Sequence, residues 1–400
     1  MHWRGIVGTC SRVAASSFVA LSAMTPPPSS TSTPSSAFPV DATAAAGSSD
    51  FAAKYLHRLG MDPSDCPWME DKASFRLTDL CKITQAHVET VPFENLGQHG
   101  GKGGIQSLDM ATIEGKILDR NRGGFCFELN GLLARLLEEV GMEVTYVPAF
   151  VHRADPDNGD RGFDHPPTHL FLLVRFPPST SDGKDGGDGD STAATDDERE
   201  QQQQYFIDVG FGEPAMHPLK YPAFGEVQQT PEGMLSRFVK MDHVSNWNGN
   251  EFTGVVLEYF KDNEWKPRLM WDERSVDDSS TSMKLQDFQP MLEEVLQTES
   301  NFSRKIIVCR ITQDTKYTLA GTKLKVTGPP RVLSAEDQEM KKSSGNDDEV
   351  VSIPVSTRQL NSIDEIRETM RSTFGIELDE TNTLDLSRSL SAEEKVWASF

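Results

Sequence analysis

The stretch RGGFCFELNGLLARLLEEVG, residues 122–141, is the firmest reading in the chain. Leu129, Leu132, Leu133, Leu136, Leu137 and Val140 recur at the period of one helix face, and Gly141 follows as a stop. Cys126 falls in register with Leu129, Leu133 and Leu136, so periodicity alone makes it a packing residue. Its chemical setting points elsewhere. Arg122, Gly123 and Gly124 precede it, and two glycines let a backbone turn sharply and pass close to a ligand. The first turn of a helix also presents unpaired N–H groups and the positive end of the dipole, which favour a thiolate.

Helical spacing continues upstream. FAAKYLHRLG gives a short helix ending at Gly60, and Leu77, Leu80, Cys81, Thr84, Val88 and Val91 define another, stopped by Pro92. PFENLGQHGGKGG (92–104) reads as a loop, and a third helix is expected from about 108 to 120. Downstream the pattern changes. EVTYVPAFV, HLFLLVRF and YFIDVGFG read as strands, GVVLEYFKDNEWKPRLMW as a hairpin turning at Asp262-Asn263, and RKIIVCRIT, KYTLAG, KLKVTG and VVSIPV as further strands. SIDEIRETMRSTFG closes the series with a capping box at Ser362 and Glu365, a stripe at Ile363, Ile366 and Met370, and Gly375 as a stop.

Composition removes whole classes of function. The net charge of −22 over 400 residues makes the chain a poor general partner for nucleic acid or an anionic membrane, leaving room only for a local basic pocket. No run approaches the roughly 20 apolar residues of a membrane-spanning helix. The five cysteines (10, 66, 81, 126 and 309) are sparse, odd in number and without CxxC spacing, which argues against a disulfide framework and a structural zinc site. Residues 1–50 carry Arg4 and Arg12, many hydroxyl residues and no acid before Asp41. That is the outline of an organelle transit peptide or of a disordered extension. Within it, SSAFP (35–39) is similar to the junction motif of plastid-targeting leaders of some algae. Residues 179–204 hold eight acids, two bases and no large apolar residue, and a second acidic insert spans 336–349. The first reads as a disordered loop.

A nucleophilic cysteine needs a base and a group to orient it. His169 opens the apolar strand HLFLLVRF, and Asp208 sits between Ile207 and Val209, where a carboxylate is costly without a donor. Neighbouring strands would let Asp208 hold the imidazole and the imidazole take the thiol proton. Read blandly, His169 is a hydrogen-bonded strand end and Asp208 satisfies backbone groups.

Together these segments resemble the arylamine N-acetyltransferase family. The Arg-Gly-Gly-x-Cys-x-Glu-x-Asn signature stands complete as Arg122, Gly123, Gly124, Cys126, Glu128 and Asn130. VPFENL (91–96), THLFLLV (168–174), IDVGFG (207–212) and FGIEL (374–378) are similar to further blocks of the family. The resemblance implies an α+β fold with a cysteine-protease-like core: a helical domain (51–141), a β-barrel (142–300) and an α/β lid (301–400). It implies Cys126 as acyl carrier, His169 as base and Asp208 as orienter. Phe93, Thr168, Gly210, Phe211 and Gly212 would line the substrate and CoA site, with Arg122, Glu128 and Asn130 as structural neighbours. Acetyl-CoA would be the cosubstrate and an arylamine, arylhydrazine or arylhydroxylamine the acceptor, with no metal. The resemblance implies a cytoplasmic enzyme; residues 1–50 read as a transit peptide would instead imply a mitochondrion or plastid. One departure stands out: the His169–Asp208 interval is longer than in the family, because of the acidic insert. A thiol hydrolase or an amide-forming acyltransferase on the same Cys-His-Asp core is the rival reading.

Overall fold

The computed structural model describes residues 44–99, 107–155, 159–177, 203–244, 249–261, 263–277, 283–297, 301–328 and 354–378. Residues 1–43, the acidic insert up to 202 and the insert 336–349 lie outside the described residues. The first helix, α1 (Ala44–Arg58), begins ahead of Phe51 and takes in the end of the expected leader. It is followed by α2 (Leu77–Thr90), α3 (Met110–Glu114), a single π-helical turn (Gly115–Asp119) and α4 (Cys126–Glu139). The helix expected over 108–120 is thus an α-helix that widens at its end.

The central helix is α4. Phe127, Leu129, Leu132, Leu133, Ala134, Leu136 and Leu137 are all buried, so the helix is covered except along a strip near its end, where Arg135 and Glu139 are half-buried and Glu138 is exposed. Each buried leucine contributes about 2 kcal/mol by removing apolar surface from water. Leu285, Phe288, Leu292 and Val295 also enter this core, although the sequence boundaries place them with the barrel. Gly131 permits that approach: a Cβ there would stand 2.6 Å from a Leu285 methyl group.

The strands in chain order begin with β1 (Phe93–Glu94), β2 (Glu143–Val151), β3 (Arg153–Asp155), β4 (Gly159–Gly162) and β5 (His169–Arg175). Next come β6 (Gln204–Ile207), β7 (Leu219–Tyr221), β8 (Gln228–Gln229), β9 (Leu235–Val244), β10 (Glu251–Lys261) and β11 (Glu264–Asp272). The last are β12 (Ile307–Ile311), β13 (Lys316–Ala320), β14 (Lys323–Thr327) and β15 (Pro354–Gln359). Eight of them form one antiparallel sheet in the order β7-β6-β5-β2-β11-β10-β9-β8, curled into a nearly closed barrel. The architecture is α+β. In β5, Leu170, Leu172 and Val174 pack into the helical core while Phe171 and Leu173 face the barrel interior. Burial on both faces explains why the strand reads as an unbroken apolar run.

The remaining large sheet is antiparallel, in the order β1-β12-β13-β14-β15, and packs against the helix Ile363–Phe374. Its edge strand corrects the sequence reading. Phe93 and Glu94 pair with Cys309 and Val308, although this segment reads as a loop; two residues give no period to detect. The C-terminal helix has the expected Ser362 cap and Gly375 stop, the latter at φ 68°. Ile363, expected on its apolar stripe, is exposed. The buried row Ile366, Met370 and Phe374 runs back in steps of four to Ser362, one residue away from Ile363.

Candidate active site

Cys126 opens α4, with Phe125 in extended backbone as its N-cap. The pairing of β5 with β6 ends at Leu172 opposite Ile207. His169 and Asp208 each lie an odd number of residues past that pair, so the alternation of side chains puts both on the same face. There the His169 Nε2–H donates to Asp208 Oδ2 at 2.7 Å, with both side chains buried. The other ring nitrogen of His169 is left for its hydrogen bond to Cys126. Burial, the largest influence on this imidazole, disfavours its charged form, but the charges of Asp208 and Cys126 and their hydrogen bonds outweigh it. His169 therefore holds its proton well above the ordinary histidine range.

Asn130, one turn along α4, fixes the carboxylate. Its Nδ2 donates to Asp208 Oδ1 at 2.9 Å and to the Leu170 carbonyl at 2.7 Å, and its Oδ1 accepts the Val209 N–H at 2.9 Å. The Gly210 N–H also donates to Asp208 Oδ1, at 2.9 Å. Gly210 packs on Cys126 itself: a Cβ there would lie 2.4 Å from Cys126 Cα. Gly123 is equally constrained, since a Cβ would meet the Pro92 carbonyl oxygen at 1.9 Å.

The loop before α4 rests on buried charge. Arg122 pairs with Glu94 at 2.8 Å, and Lys116 pairs with Glu128 at 2.8 Å. Burial raises the Glu94 pKa, but Lys116 and then Arg122 draw it below the ordinary carboxylate range. Arg58 of α1 donates to the carbonyls of Ile117, Thr90 and Arg122, tying three segments around the loop. Lys116 and Arg58 escape a sequence reading, because a lone cation in an amphipathic helix looks like a solvated one.

The expected substrate-lining residues divide in two. Phe211 sets its ring edge-on to His169, 5.4 Å between centroids, and the Arg268 guanidinium lies 5.0 Å from the Phe211 centroid on its other contact. Gly212 follows, half-buried. Thr168 donates its N–H to the Ala149 carbonyl at 3.0 Å, continuing the β2–β5 pairing past His169. Phe93 lies across the loop, 6.0 Å from the Phe125 ring and 5.9 Å from that of Phe302. Glu213, unmarked by any motif, is buried among Lys261 and Lys316 at 3.3 Å and Arg268 at 3.4 Å. Among the described residues, no group of three or more His, Cys, Asp or Glu could hold a metal ion, and no helix is long and apolar enough to cross a membrane.

A sequence profile described as N-acetyltransferase matches residues 76–181 and 197–383. The chain belongs to the arylamine N-acetyltransferase family. The match breaks between 181 and 197, inside the acidic insert, so the long His169–Asp208 interval is an addition to the arylamine N-acetyltransferase pattern. An arylamine N-acetyltransferase of Mycolicibacterium smegmatis is 35% identical over 44% of this chain and 52% of its own length. The chain thus spans about half the length of that curated relative. The arylamine N-acetyltransferase from Mycobacterium abscessus shares the fold with a TM-score of 0.59 and 23% identity, over 85% of this chain and 95% of that one. The Mycobacterium marinum enzyme, solved in complex with CoA, gives 0.58 and 23% over 84% and 96%.

Proposed function

We propose that the protein transfers an acetyl group from acetyl-CoA to an arylamine, arylhydrazine or arylhydroxylamine through a thioester on Cys126. The observation that carries this reading is the Asp208–His169 hydrogen bond at 2.7 Å, with the imidazole bonded in turn to Cys126 at the start of α4. A high imidazole proton affinity beside a thiol at a helix N-terminus favours a thiolate–imidazolium pair. The thiolate attacks the acetyl carbonyl, and N–H groups of the first helical turn, that of Cys126 among them, receive the oxyanion. The tetrahedral intermediate collapses with loss of CoA, which leaves with the imidazolium proton. The amine then attacks the thioester carbonyl, His169 takes the proton it loses, and the Cys126 thiolate is released as the amide forms. Arylamines suit this cycle, being unprotonated at neutral pH. Membership of the family and the CoA complex of the Mycobacterium marinum relative support acetyl-CoA as donor.

Phe211 and Phe93 would flank the acceptor ring, with Thr168 and Gly212 at its edges. Gly210 serves in this reading by letting the Asp208 segment close on the nucleophile. Intact mass spectrometry after incubation with acetyl-CoA alone tests the proposal. One acetyl group is expected on Cys126, absent from Cys126→Ser and discharged by added arylamine. Continuous CoA release without amine would mark a thiol hydrolase instead.

A further inference from the structure

Directly beneath the turn that carries Cys126 lies a buried cation that the transfer reaction leaves unused. Lys116 Nζ donates to both carboxylate oxygens of Glu128, at 3.0 and 2.8 Å, and stands 3.8 Å from Glu94 Oε1. Its backbone carbonyl accepts the Arg122 N–H at 3.1 Å. Lys116 belongs to the π-helical turn Gly115–Asp119, whose extra residue re-aims side chains relative to an α-helix. Glu128 is the third residue of α4, and its Oε2 accepts the Phe125 N–H at 2.9 Å. A Cβ on Gly124 would lie only 2.8 Å from that oxygen, so the carboxylate is pressed against the backbone leading into Cys126.

Glu128 and a Cys126 thiolate would be two anions in one helical turn. Glu128 secures the N-cap N–H, yet its charge opposes the thiolate that the same helix end favours. The other charges near Cys126 are accounted for. His169 of β5 hydrogen-bonds to it, Asp208 after β6 is held by His169 and Asn130, and Glu94 of β1 is paired with Arg122. Lys116–Glu128 is the pair whose breakage would leave an unopposed charge in that turn.

We propose that Lys116 is a positioning residue of the nucleophile: it cancels the charge of Glu128, so that one carboxylate holds the N-cap while the helix end remains available to the Cys126 thiolate. The inference rests on the acetyl-transfer reading above and deepens it. The test uses the full chain and iodoacetamide at pH 7, with alkylation of Cys126 followed by peptide mass and folding by thermal melt. Lys116→Met is expected to slow alkylation about tenfold, the effect of an unopposed buried charge in the same helical turn. Acetyl-enzyme formation should slow in parallel.

The double variant Lys116→Met/Glu128→Gln should recover alkylation to within about threefold of wild type while still melting below wild type, because it restores charge balance without restoring the contact. A double variant as slow as the single one, or a single variant as fast as wild type, overturns the assignment. Should Lys116→Met fail to fold, Glu128→Gln alone decides. It leaves the Lys116 cation without the opposing Glu128 charge in that turn and is expected to speed alkylation; no acceleration overturns the proposal. If wild-type Cys126 alkylates no faster than a free thiol, the acetyl-transfer reading falls and the role of Lys116 with it. A fast wild type with an equally fast Lys116→Met removes only Lys116.

Discussion

Asn130 touches no reacting atom in the proposed cycle, yet its one amide group ties α4 to two segments, β5 at Leu170 and the Asp208–Val209 stretch. Replacing it with leucine leaves the Val209 N–H without its acceptor and takes one of two donors from Asp208 Oδ1, inside a buried site. We expect Asn130→Leu to cost about 2 kcal/mol in urea unfolding and to slow acetyl-enzyme formation more than it alters acceptor binding. His169 supplies a second test at this scale. Its pKa is raised in the folded chain, to about 10 from an ordinary 6.5, by Asp208 and Cys126 acting against burial. A raised folded pKa contributes stability in full below the unfolded value and loses it as pH climbs through the folded one. The stability advantage of wild type over Asp208→Asn should therefore shrink between about pH 6.5 and 10, measured as chemical-denaturation midpoints across that range. A constant gap would separate His169 from this linkage.

The elements show what a sequence reveals and what it hides. The α4 stripe, the unbroken apolar run of β5 and the caps of the C-terminal helix were all legible, because each obeys a local period or a fixed cap spacing. His169 and Asp208 could be singled out for a related reason, since each breaks an otherwise apolar strand, whereas Cys126 keeps the α4 register and stood out through the glycines that lead into it. Strand β1 was hidden: it is two residues long and finds its partner 216 positions on, as Phe93 opposite Cys309. The placement of Leu285–Val295 against α4 was hidden too, because an apolar stripe does not name the surface it will cover. The C-terminal helix gives a clean test of a legible feature. Ser362 Oγ accepts the Glu365 N–H at 3.1 Å, and Glu365 accepts the Asn361 N–H at 2.8 Å. Ser362→Ala should lower stability by about 1 kcal/mol in a guanidinium titration while leaving acetylation of Cys126 unchanged.

At the scale of the molecule, the Asp208 loop is anchored to both large sheets. Glu213 follows Phe211 by two residues and meets Lys261 of β10, Arg268 of β11 and Lys316 of β13. Burial raises its pKa, but Lys316, Lys261 and Arg268 hold it far below the ordinary carboxylate range. Glu213→Gln would leave three cations facing one another and is expected to cost about 3 kcal/mol; Lys316→Met in the same chain should restore part of the loss, read from urea midpoints. None of this was legible beforehand, because the four residues come from three distant stretches and belong to no motif. The edge where Arg175 of β5 pairs with Gln204 of β6 carries a different consequence. Cys126 and His169 precede that edge and Asp208 follows it, so the chain is divided there between the proposed nucleophile and base on one side and the proposed orienting carboxylate on the other. Two polypeptides, 44–177 and 203–378, each inert alone, should therefore reassemble into an acetylating enzyme when co-expressed. Fused to interacting partners, they would make a split reporter whose signal requires Asp208 to return to His169.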